Sequence, residues 1–67
     1  MVRIRFKQGL ARKEFGPNEN GMMPFVRTTN EWLEVYCYRR MLSMEYGGAE
    51  LLAAFPRDNV LSVEVLA

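Results

Sequence analysis

The chain contains no histidine and a single cysteine, Cys37, in 67 residues. Without an imidazole the commonest general base is missing, and the one thiol has no imidazole partner to activate it as a nucleophile. One thiolate and no histidine do not supply the ligands of a structural zinc site, so no metal is expected. A disulfide cannot form within the chain, which makes the reducing cytoplasm the expected compartment. Cys37 stands between Tyr36 and Tyr38 and reads as a small packed hydrophobe.

An excess of one charge is lacking as well. Nine Lys and Arg face eight Asp and Glu, a net charge of +1, whereas dedicated non-specific nucleic-acid binders are strongly basic. No apolar run approaches the ~20 residues of a membrane helix. Val2-Arg3-Ile4-Arg5-Phe6-Lys7 lacks the apolar core of a signal peptide. Gly47-Gly48 has neither the spacing nor the Lys-Ser/Thr of a phosphate-binding loop. Glu45 and Glu50, which flank that glycine pair, read as solvated residues at a hairpin tip rather than an acid–base pair. The expectation is a protein that is not an enzyme and takes no cofactor, metal or membrane.

The patterning that is present is largely that of strands. Val2, Ile4 and Phe6 alternate with Arg3, Arg5 and Lys7, giving a half-buried strand whose basic face suits an edge, where Lys and Arg discourage aggregation. From Gln8 to about Thr29, Gly9, Gly16-Pro17-Asn18, Asn20-Gly21 and Pro24 punctuate the chain. This segment is either a binding loop or hides a short hairpin around Asn18 to Gly21, with Phe25-Val26-Arg27-Thr28 as a short strand. Glu31 to Tyr38 alternates again, Leu33, Val35 and Cys37 against Trp32, Glu34, Tyr36 and Tyr38. A helix competes there, because Thr28 with Glu31 matches a capping box, but Val-Tyr-Cys-Tyr favours strand.

Arg39-Arg40 marks a bend. Met41 to Tyr46, Gly47-Gly48 and Ala49 to Phe55 read as a hairpin with a two-residue turn. Ala49 to Ala54 also has high helix propensity, yet six residues before Pro56 make a poor helix. Pro56-Arg57-Asp58-Asn59 suits one 3₁₀ turn. Leu61, Val63 and Val65 are expected on the core face of a last strand, with Ser62 and Glu64 outside.

Ala54-Phe55-Pro56-Arg57-Asp58-Asn59-Val60 resembles the SH3-like segment in which an apolar residue and proline precede a short helical turn and a valine. The order of strands around it is similar too. The resemblance implies an all-β single domain, a five- to six-stranded SH3-like barrel with a 3₁₀ turn before the last strand. Asn59 stands at that family's aromatic position, Trp32 is not one of a Trp-Trp pair, and no acidic tyrosine-containing loop follows the first strand. Proline-peptide binding is therefore not implied. SH3-like barrels serve many functions, so fold alone does not choose one.

Two surfaces compete for function. Trp32, Tyr36 and Tyr38 around Glu34, with Met23 and Phe25 from the preceding loop and Arg39 and Arg40 at the rim, are the residue types of a protein interface. A core role for that face is the alternative. Met41 and Met44, like Met22, read as gap filling in the core or as adaptable surface. Arg3, Arg5, Lys7 and Arg27, extended by Arg12 and Lys13, would with the same aromatics suit single-stranded nucleic acid. The favoured expectation is a non-catalytic protein-binding module, an adaptor, inhibitor or phage-type accessory protein. A chain this short buries little of its surface, and neither disulfide nor metal helps it, so self-association as a homo-oligomer is expected too. A small-ligand site at a subunit interface is a third reading.

Overall fold

The computed structural model describes residues 1–9, 12–38 and 48–66. Strand β1 is Val2–Phe6, β2 Lys13–Phe15, β3 Pro24–Thr28, β4 Trp32–Tyr38, β5 Ala49–Pro56 and β6 Val60–Val65, with a 3₁₀ turn at Arg57–Asn59. They form two antiparallel three-stranded sheets, β2-β1-β6 and β3-β4-β5. No hydrogen-bonded strand pair joins the two sheets among the described residues.

The alternation in β1 and β4 becomes the core. Val2, Ile4 and Phe6 meet Leu33 and Val35 between the sheets, with Phe15, Val26, Phe55, Val60 and Val63 packed around them. Cys37 is buried at the far end of the same face of β4, where its Sγ lies 3.2 Å from the Met22 carbonyl oxygen. Ala49–Pro56 is strand throughout. Pairing with β4 along Trp32 to Tyr38 overrides the helix propensity of Ala49 to Ala54. The expected 3₁₀ turn is present, and its Arg57 donates from the backbone amide to Glu31 and from Nη1 to the Thr29 carbonyl.

Several expectations need correction. β1 is the central strand of its sheet, not an edge. The segment read as loop or hidden hairpin contains β2, which pairs with β1. The last strand does not put Leu61, Val63 and Val65 inside together. Phe6 pairs with Val60 while Arg5 pairs with Ser62, so Leu61 is the extra residue of a bulge. Val60 takes the inner place beside Phe6, and Leu61 and Val65 are 63% and 73% exposed. The expected strand at Met41 to Tyr46 and the turn at Gly47 lie outside the described residues.

The connection from β2 to β3 is ordered by one side chain. Asn18 Oδ1 accepts from the amides of Asn20 and Met22, both at 2.9 Å, and Nδ2 donates to the Tyr38 carbonyl at 2.9 Å. Gly21 closes the turn at φ +76°, a conformation that penalises a side chain. Asn18→Ala should therefore destabilise the fold by about 1–2 kcal/mol, because at least three hydrogen bonds go at once. Urea unfolding followed by far-UV circular dichroism checks this.

Candidate interaction face

The side of sheet β3-β4-β5 that faces away from the core is built by register. Phe25 stands across from Tyr36, Arg27 across from Glu34, and Leu51 across from Tyr36 on the other flank. A bulge at Leu52 lies between the Val35–Ala53 and Tyr36–Leu51 pairs and returns Leu51 to this face. Trp32 and Pro56 form its lower row, and Tyr38 and Ala49 its upper row. Met23 immediately precedes β3 at the Tyr38 end.

The rings are assembled, not scattered. Phe25 stacks on Tyr36 with centroids 5.8 Å apart and on Tyr38 at 5.0 Å. Such offset pairs contribute about 0.5–1.5 kcal/mol each beyond area burial. Trp32 is 44%, Tyr38 46%, Met23 45% and Leu51 50% exposed. The core alternative for this face is thus overturned for Trp32 and Tyr38, since Leu33, Val35 and Cys37 alone of β4 are buried.

One polar group is set within the stack. The Tyr36 hydroxyl donates to Glu34 at 3.1 Å. Partial burial pushes the Tyr36 phenol above its ordinary value of 10.0; the hydrogen bond to Glu34 and that carboxylate's charge add to the rise, and Arg27 offsets part of it. Because the folded state favours the neutral phenol, this contribution to stability is complete below pH 10.0 and is lost as pH rises above it. Ultraviolet titration at the tyrosinate band should show one phenol titrating above the ordinary range, and Glu34→Gln should bring it back toward that range.

The basic residues are divided by the fold. Arg3 and Arg5 lie on the outer face of sheet β2-β1-β6, and Arg27 is on the other sheet. Arg3 Nε is 3.0 Å from Glu14, and its Nη1 is 3.7 Å from Glu64. Arg5 Nε is 3.2 Å from Glu64, and Arg12 Nε 3.6 Å from Glu14. Two carboxylates on the flanking strands therefore neutralise much of the stripe. Lys7 is exposed just beyond β1. Arg39 and Arg40 lie outside the described residues.

Leu51 belongs to the aromatic face although sequence reasoning gave it no role there. Only the bulge at Leu52 puts it there, and a bulge leaves no mark on simple alternation. Among the described residues no group of acidic, cysteine or histidine side chains could hold a metal ion. No described helix is long and apolar enough to cross a membrane. No family model, curated protein or solved structure matches the chain.

Proposed function

We propose that the protein is a non-catalytic protein-binding module, a small adaptor, inhibitor or accessory protein, which docks through the outer face of β3-β4-β5. The observation that carries this reading is the stack of Phe25 with Tyr36 and Tyr38, continued by exposed Trp32, Met23 and Leu51. Large rings held rigid by one another lose little entropy when a partner covers them, and such residues dominate interface energetics. Arg39 and Arg40 follow β4 directly and suit the rim of that contact. We read the architecture as SH3-like in arrangement, supported by the three-strand meander, the 3₁₀ turn and the last strand pairing back on the first.

Binding of single-stranded nucleic acid is the competing reading, and the ion pairs of Arg3 and Arg5 weigh against it. Trp32 is the only tryptophan and lies on the proposed face, so its fluorescence reports directly on occupancy. Titration with a mixed-sequence single-stranded oligonucleotide should leave Trp32 emission unchanged at physiological salt. Quenching that fades steeply with salt would transfer the function to nucleic acid. A paired variant, Glu14→Gln with Glu64→Gln, should gain salt-dependent oligonucleotide affinity, with a slope rising by about 0.7 for each arginine released to a phosphate.

A further inference from the structure

Among the described residues of β3, β4 and β5, the outer face carries one cation and one anion. Arg27 and Glu34 are direct register partners on adjacent strands. Yet neither belongs to an ion pair among the described residues, whose bridges join Arg3, Arg5 and Arg12 to Glu14 and Glu64. Glu34 accepts from the Tyr36 hydroxyl, and Arg27 is exposed. A face with one charge of each sign on neighbouring strands is complementary to itself.

We infer that a second copy of this chain covers this face, related by a two-fold axis that runs along the strands between β3 and β4. This rests on the reading of the face as a protein-docking surface. Rotation about that axis lays β3 of one copy over β4 of the other at the same height. Arg27 then meets the partner's Glu34, and Glu34 meets the partner's Arg27. Phe25 and Tyr36, one row away, exchange places in the same manner, so rings pack on rings. A two-fold axis across the strands would instead set Arg27 over Arg27, with two like charges opposed in an apolar contact. Two sheets stacked with strands roughly aligned is an ordinary packing of inner faces.

Among the described residues, the largest side chains withdrawn completely from water are Val2, Ile4 and Val35. A second apolar layer on the far side of β4 gives this short chain the burial that disulfides and metals give other small domains.

The test is sedimentation velocity on the full chain from low micromolar to submillimolar concentration. Wild type should form a dimer. Arg27→Glu sets an acidic group against the partner's Glu34, and Glu34→Arg sets a cation against the partner's Arg27; each should weaken dimerisation on the order of a hundredfold. An equimolar mixture of the two variants should regain a dimer, because every cross-axis contact is then between opposite charges. That rescue separates the proposal from damage to the monomer, since each variant keeps its own like-charged register pair in the mixture. Should either variant fail to fold by circular dichroism, Arg27→Gln and Glu34→Gln replace them, and each should weaken the dimer about tenfold. A wild-type protein that stays monomeric throughout the range overturns the second copy as occupant. It leaves docking of a different protein to be judged by Trp32 fluorescence. A dimer that survives the charge variants, or one that mixing does not restore, overturns the axis and with it the proposal.

Discussion

Ile4→Ala is expected to cost the fold about 2–5 kcal/mol and to move its urea midpoint far toward zero. Ile4 is wholly withdrawn from water at the centre of β1, and β1 is the strand that both β2 and β6 pair with. Truncating a buried isoleucine to alanine costs about 2–5 kcal/mol, from lost transfer energy and the cavity left behind. A chain of 67 residues has a total stability of only about 3–10 kcal/mol. The loss therefore takes a large part of the whole, and collapse around the cavity offers little relief. The facing residues Leu33 and Val35 belong to the other sheet and are fixed in register with β3 and β5. Ile4→Val removes one methylene and should cost about 0.5–1.5 kcal/mol, leaving a folded protein with an earlier urea midpoint. Circular dichroism against urea for the two variants gives the comparison. If Ile4→Ala lost no more than Ile4→Val, the packing between the sheets would have to be loose.

The central position of β1 also explains why part of the site was visible in sequence and part was not. Alternation fixes which face of a strand is apolar, so the core residues of β1 and β4 and the outward Trp32, Tyr36 and Tyr38 were legible from spacing alone. Alternation says nothing about neighbours. Arg3, Arg5 and Lys7 look like a free basic stripe until β2 and β6 bring Glu14 and Glu64 alongside. β2 escaped notice because Lys13-Glu14-Phe15 is three residues long with a single apolar side chain, between Gly9 and Gly16-Pro17. Period-2 reasoning has nothing to count there. At Leu61 and Leu52 one extra residue shifts the phase, so Val60 and Leu51 land on faces the uninterrupted pattern denies them. In β5 the local preference of Ala49 to Ala54 is helical, and the strand exists because β4 offers a ladder along its whole length. The charge complementarity of Arg27 and Glu34 depends on the hairpin register, which Thr29 fixes by accepting from the amides of Glu31 and Trp32.

Phe55→Ala is expected to uncouple the two sheets. Phe55 is on β5, opposite Leu33, yet its ring meets Phe6 of β1 edge-on at 5.0 Å and Phe15 of β2 at 6.4 Å. One side chain of the second sheet thus touches two strands of the first. No strand pair joins the sheets among the described residues, so core side chains must couple them. Removing a phenylalanine ring from a core costs about 3–5 kcal/mol, and half-burial of Phe55 places the expectation at about 3 kcal/mol. Phe55→Leu keeps most of the volume but loses both ring contacts, and should cost about 1–2 kcal/mol. The two variants differ in kind as well as size. Trp32 emission reports on sheet β3-β4-β5, whereas far-UV circular dichroism reports on all strands. In the wild type the two urea transitions should coincide, as in any two-state domain of this length. In Phe55→Ala they should separate if the ring is what makes the sheets fold as one unit, and in Phe55→Leu they should stay together. Coincident transitions in Phe55→Ala, with stability lowered, would instead assign the coupling to Ile4, Leu33 and Val35, and leave Phe55 as one contributor to burial among several.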